Sequence, residues 1–186
     1  MSDLMEIIQK RRSIRKYEDQ DVPQEILNEI LEAVRWAPSW ANTQCWEVVA
    51  VTDSDQKIRL QETLPPKGNP ARSAIVQAPV LLAVCGRLKK SGYYKELETT
   101  KFGDWFMFDL GLAAQNLCLA ACNRGLGTVI VGLFDHDKAK AILKVPAGYE
   151  VPVLIPLGYP AKLSSPPKRK ELSEFVHFDT FKTSEV

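Results

Sequence analysis

The segment Asp104 to Arg124, DWFMFDLGLAAQNLCLAACNR, restricts the fold of this chain more than any other stretch. It is apolar on nearly every face and places Ala and Gly where neighbouring helices can approach closely. It then runs into RGLG, a glycine stop signal. A helix without a polar side does not rest on a surface, so this one is predicted to lie in a core or a subunit interface. At 186 residues, 45% hydrophobic and 25% charged, the chain can build one sizeable core and is read as a single domain, residues 1–186.

Helical and extended signals alternate around that segment. Leu4, Ile7 and Ile8 share one face of a short opening helix. Pro23 suits a first helical turn, and Ile26, Leu27, Ile30, Leu31 and Val34 form an amphipathic stripe that must stop near Pro38. APSWANTQCW is then a loop, WEVVAVT from Trp46 a buried strand, Gln56 to Leu64 a helix and PPKGNP a turn-rich break. VLLAVCG after Pro79 is a second strand. Residues from about 86 to 100 show no period and read as a variable insertion. TVIVGLF is expected to be a strand, Asp137 to Leu143 a short helix and VPVLIPLG an extended segment. Pro152 and Pro156 each remove a ladder donor there, which favours a sheet edge or a bulge. The order fits an α+β fold, a mixed sheet flanked by helices, better than a regular βαβ series.

The net charge of +1 argues against a general nucleic-acid binder, yet KRRSIRKY packs five cations into Lys10 to Lys16. A second cluster, Lys168, Arg169 and Lys170, stands near the other end of the chain. If the two converge they make a phosphate site, because the arginine fork binds phosphate oxygens bidentately and Ser13 adds a hydroxyl. If they do not, both are solvated surface. Cys45, Cys85, Cys118 and Cys122 read as buried thiols, since CLAAC lacks the flanking ligands of a zinc site. No metal centre is expected. MSDLMEIIQK has no signal-peptide character and no apolar run is long enough for a bilayer, so a cytoplasmic, membrane-free protein is expected.

KRRSIRKY, APSWANTQCW, AAQNLCLAA with GLGTVIVG, PLGYP and the basic PPKRK tail occur in one order along almost the whole chain. Together they resemble the FMN-dependent nitroreductase family. The resemblance implies an intertwined homodimer with two FMN sites at the subunit interface, fed by NADH or NADPH, in which residues 164–186 wrap the partner subunit. It also implies small-molecule acceptors such as nitroaromatics or quinones, reached in two hydride steps by a ping-pong route. Arg11, Arg12 and Ser13 would hold the phosphate and ribityl end of FMN, with Arg169 and Lys168 closing from the tail. Arg15 would reach the pyrimidine edge, where a fixed cation favours the reduced flavin. Pro38, Ser39, Trp40 and Asn42 match a loop that crosses onto the partner's flavin. The backbone at Ile130, Val131 and Gly132 would lie beside the ring. Gln44 matches as well, Cys45 stands where many members carry proline, and Asn69 is a weak candidate for a further polar contact.

No side chain is expected to act as acid, base or nucleophile, and His136 and His177 read as surface residues. Trp40, Tyr93, Tyr94, Trp105 and Phe106 are aromatic candidates for an acceptor pocket, core packing being the alternative for at least two. The resemblance leaves other flavin reactions open, namely dehalogenation, flavin cleavage and azole formation, as well as a non-enzymatic FMN carrier or sensor.

Overall fold

Two apolar strands with both faces buried form the centre of the molecule, which the computed structural model describes over residues 3–181. They are β2 (Val80–Arg87) and β6 (Tyr149–Gly158), paired antiparallel with Leu82 opposite Ile155. Side chains alternate across a strand, so Val80, Leu82 and Val84 enter one core while Leu81, Ala83 and Cys85 enter the other. β1 (Trp46–Val51) adds to β2 on one side and β5 (Gly127–Thr128) to β6 on the other, giving the antiparallel order β1-β2-β6-β5.

Helices cover both faces. α2 (Gln24–Arg35) and α5 (Phe106–Asn123) pack on the Val80/Leu82/Val84 face, through Leu27, Ile30, Leu110, Ala113, Leu117 and Ala121. On the opposite face lie α3 (Ser54–Gln61), α4 (Ala74–Gln77) and α6 (His136–Ile142), with Leu60, Ile75 and Ala139 in that core. Asp53 starts α3 two residues before the expected Gln56, accepting the Gln56 N–H at 2.7 Å. The opening helix α1 (Leu4–Lys10) docks against α5, and a 3₁₀ turn, Leu172–Glu174, sits in the tail. This is the expected α+β fold, a sheet between helices. Residues 182–186 of the proposed wrapping tail lie outside the described residues. Among those described, no helix is long and apolar enough to cross a membrane.

Three expectations change. VPVLIPLG is not an edge strand, because β6 has neighbours on both sides. The expected bulge is present, a register shift between Val84 and Gly86 opposite Pro152. TVIVGLF does not form a continuous strand: only Gly127 and Thr128 pair, followed by a single bridge from Val131 to Leu154. In that same register Val129 falls opposite Pro156, which has no N–H to donate, so Val129 C=O loses its ladder donor and the strand breaks there; Ile130, the next position, turns its backbone groups away from β6, as Thr128 does toward Ile14. The unperiodic 86–100 region is ordered, a small hairpin of β3 (Tyr93–Tyr94) and β4 (Leu97–Glu98). Its turn uses left-handed Lys95 (φ 47°) and Glu96 (φ 66°).

α5 is apolar all round but not buried all round. Leu110, Ala113, Ala114, Leu117, Cys118 and Ala121 face the sheet, whereas Met107, Phe108, Gly111 and Gln115 are exposed in the single chain.

The arginine segment is an extended strip laid along the sheet edge. Ile14 N–H donates to Thr128 C=O at 2.8 Å, and Ser13 bridges Thr128 in parallel. The buried Tyr17 hydroxyl reaches the carbonyls of Ile14 (2.8 Å) and Pro156 (3.1 Å). Gly127 makes the close approach possible, since a Cβ there would stand 2.4 Å from Ile14 Cγ1. Gly127→Ala is therefore expected to destabilise the protein by about 1–3 kcal/mol, the usual cost of overpacking a core, as read by denaturant unfolding.

Candidate functional site

Arg11, Arg12 and Arg169 line one cleft of about 930 Å³, walled by Ile8, Ile14, Cys118, Cys122, Leu126, Leu163 and Pro166. The two basic clusters thus converge within a single chain, through Arg169 of the tail; Lys168 is exposed and does not line the cleft. Lys10 is occupied by Glu6 at 2.5 Å, one turn back on α1. Among the described residues no ion pair involves Arg11, Arg12, Arg15 or Arg169. Arg12 turns Nη1 back onto the carbonyls of Gln9 (2.5 Å) and Arg11 (2.7 Å), while its buried Nε has no partner among the described residues. A buried guanidinium N–H left unmade is costly, so an anion that fills it stabilises the site. Burial pushes the thiols of Cys118 and Cys122 above their ordinary value, with the nearby Arg11 charge opposing that rise.

A second hollow, about 200 Å³, lies on the other side of the same strip. Arg15, Asn69, Ile130, Val131 and Gly132 all line it. Asn69 is held by its own contacts, donating to Leu133 C=O at 3.2 Å and accepting the Ala71 N–H at 3.0 Å. The Ile130 side chain is exposed, whereas those of Val129 and Val131 are buried. Gly132 has φ outside the left-handed region, and a Cβ there would meet only Pro152 O, at 3.7 Å; nothing within the chain demands a glycine.

Pro38, Ser39, Trp40 and Asn42 are not brought to either hollow. A 3₁₀ turn, Trp40–Asn42, ties this loop to the N-terminal end of α5, where the Trp40 N–H donates to Asp109 Oδ1 at 3.0 Å. The arginine strip follows α1, whose Ile7 carbonyl lies 3.8 Å from Cys122 Sγ at the other end of α5. From Asp109 to Cys122 the helix rises about 20 Å, so one chain cannot close the loop over its own arginines. Ser39 caps the loop from within, its Oγ accepting the Gln44 N–H at 2.9 Å, and Gln44 Nε2 donates to Asn42 Oδ1 at 3.0 Å.

Cys45 is buried beneath this loop. Burial, then the negative charge of Asp109 beside it, pushes its thiol up to about 12. The unfolded thiol ionises near 9 while the folded one keeps its proton to about 12. Its contribution to stability is therefore present below pH 9 and lost as pH rises toward 12. Near neutral pH it is a packed thiol and not a reactive one.

Trp40 and Trp105 form a tilted ring pair at 5.1 Å, with Phe108 and Phe102 at 5.3 and 6.2 Å from Trp105. Phe106 instead packs on the core beneath Gly86, and the Tyr93 hydroxyl bonds to Glu98 within its hairpin. His136 donates Nδ1–H to Val151 C=O at 2.9 Å, and His177 stacks on Phe181. Sequence reasoning missed Asp109. The available signal was an acidic residue in an otherwise apolar helix, which a search for ligand motifs passes over.

An antiparallel sheet between helix layers, with unpaired guanidinium groups collected at its edge, defines an α+β protein with an anion-receptive cleft. The model of the nitroreductase family matches residues 8–159, and the chain belongs to that family. It is 31% identical over 196 residues to FMN reductase (NAD(P)H) from Bacillus subtilis strain 168, covering 97% of this chain and 75% of that relative. It is 28% identical over 207 residues to iodotyrosine deiodinase 1 of Rattus norvegicus, covering 94% of this chain and 68% of the relative. A crystal structure of a nitroreductase family protein from Clostridium novyi NT superposes with a TM-score of 0.76 at 27% identity, over 86% of each chain.

Proposed function

We propose that this protein is an FMN-dependent NAD(P)H oxidoreductase that passes electrons to nitroaromatic, quinone or similar acceptors and works as a homodimer. The observation that carries the reading is the convergence of Arg11, Arg12 and Arg169, none of them ion-paired among the described residues, around a buried Arg12 Nε with no partner there. That donor set fits a phosphate monoester, and the adjacent Arg15–Gly132 hollow continues along the same strip. FMN, when bound, supplies the atom that takes hydride from NAD(P)H and passes it on.

The chain's own residues bind and orient. Arg11, Arg12 and Arg169 hold the phosphate, with Ser13 beside them and Lys168 adding charge from solvent. Arg15 sets a fixed cation at the edge of the adjacent hollow, and the backbone of Ile130, Val131 and Gly132 lies along it, held by the Val131–Leu154 bridge. Pro38, Ser39, Trp40 and Asn42 come from a second copy, because within one chain they stand at the far end of α5. Together they exclude water from the ring.

The visible spectrum of the purified protein, recorded before and after anaerobic addition of NADH, tests the reading. A colourless protein, or a flavin that NADH does not bleach, refutes it. Arg15→Ala is expected to keep FMN but lower its reduction potential and slow its reduction by NAD(P)H, whereas Arg12→Ala mainly loses FMN. Equal cofactor loss in both variants would show that the roles are divided wrongly. The deiodinase relative supports reductive dehalogenation as a second reading, which halide release from a halogenated tyrosine with reduced protein would detect.

A further inference from the structure

We propose that Asp109 is a positioning residue that locks the Ser39–Gln44 loop and the β3–β4 hairpin into one body, so that cofactor cover and acceptor wall are set together. The inference rests on the reading that this loop covers FMN in a second copy and that the hairpin side, with the aromatic candidates Tyr93, Tyr94 and Trp105, walls the acceptor pocket. Asp109 is 0% exposed and lies in the first turn of α5, where the helix end favours negative charge. Its Oδ1 accepts the Trp40 N–H at 3.0 Å. Its Oδ2 accepts the Ser91 hydroxyl at 2.7 Å, with Thr43 Oγ1 and Cys45 Sγ each at 3.5 Å. Among the described residues it has no cationic partner.

A buried carboxylate without a cation is an expensive way to fill space, and an apolar residue would pack there at lower cost. What the carboxylate does that an apolar residue cannot is join donors from segments on two sides of α5. On the loop side the backbone is strained. Ala41 (φ 44°), Asn42 (φ 55°) and Gln44 (φ 47°) all sit in the left-handed region, a conformation that persists only where surrounding contacts over-determine it. On the hairpin side, Ser91 C=O accepts the Trp105 N–H at 3.0 Å, and Trp105 Nε1 donates to Thr100 Oγ1 at 2.7 Å. Trp40 and Trp105, one from each side, also pair their rings at 5.1 Å. Loop and hairpin therefore cannot move independently while Asp109 holds both.

The experiment uses the FMN-loaded protein with 4-nitrobenzoate as acceptor, comparing wild type, Asp109→Asn, Ser91→Ala, Thr43→Val and the Ser91/Thr43 double variant. Asparagine keeps the shape and one acceptor for the Trp40 N–H but turns the other acceptor into a donor. Asp109→Asn is expected to raise the acceptor KM and the FMN Kd together, each about tenfold, the scale of one lost charge-assisted hydrogen bond. The value of kcat at saturation should stay within about twofold, since no reacting atom is touched. Ser91→Ala and Thr43→Val should each raise both the KM and the Kd, and the double variant should be non-additive in both. If Asp109→Asn does not fold, the Ser91/Thr43 cycle decides the matter. A folded Asp109→Asn with a lowered melting temperature but unchanged KM and Kd, or an additive cycle, overturns the proposal. A wild type that holds no FMN overturns instead the reading on which it rests.

Discussion

Riboflavin is expected to bind this protein at least about 100-fold more weakly than FMN, because it lacks the one group that the arginine cleft can hold by charge-assisted hydrogen bonds. Three guanidinium groups line that cleft, among the described residues no carboxylate pairs with them, and one carries a buried N–H with no partner there. Each hydrogen bond to a charged group contributes roughly 1.5–3 kcal/mol, so losing even two of them amounts to a factor of 10² or more. Arg169→Ala should remove part of the discrimination and Arg11→Ala more of it, since Arg11 sits at the rigid junction of α1 and the sheet edge while Arg169 lies on the exposed tail. Fluorescence titration of the two flavins against wild type and both variants measures this. Riboflavin binding as tightly as FMN sinks the phosphate assignment.

Deleting the chain after Leu172 is expected to weaken the proposed dimer and the retention of FMN together. The tail exposes Phe175, Phe178 (78%) and Phe181 (80%), and α5 exposes Met107 and Phe108, large apolar side chains that a second copy would cover. Covering both with a second copy about a two-fold axis gives an interface of the obligate kind, on the order of 2,000 Å² or more. The same pairing is needed to bring the Ser39–Asn42 loop to the arginine strip, since about 20 Å of α5 separates them within one chain. Binding that requires the assembled state also stabilises it, so the two losses are linked. Sedimentation velocity with absorbance read at both protein and flavin wavelengths follows them in one run. A monomer that still holds stoichiometric FMN refutes the shared site.

Much of the frame is legible without coordinates. WEVVAVT and VLLAVCG are strands because their apolar runs are bounded by a loop and by Pro79, and the Ile26–Val34 stripe is a helix because its period matches 3.6. The site was legible in part. The five cations of KRRSIRKY left an anion site and a solvated surface both open, and the resemblance ordered the remaining motifs around the first. Asp109 was not legible, since a single acid in an apolar helix has no local partner that announces it; its donors come from Trp40, Thr43, Cys45 and Ser91. Nor was the end of β5, because nothing near Val129 says that Pro156 will lie opposite.

What the sequence alone determined is therefore whatever depends on neighbours along the chain: helix period, strand alternation, proline and glycine stops, and the local density of charge. Tertiary structure decided that Arg169 joins Arg11 and Arg12, that Arg15 and Asn69 share a hollow with Gly132, and that the Trp40 loop belongs to the opposite end of α5. Those placements follow from strand order and helix docking, set by burying two cores on the two faces of one sheet. That condition acts between residues as far apart in sequence as Ile14 and Leu154 and leaves no trace in any local pattern.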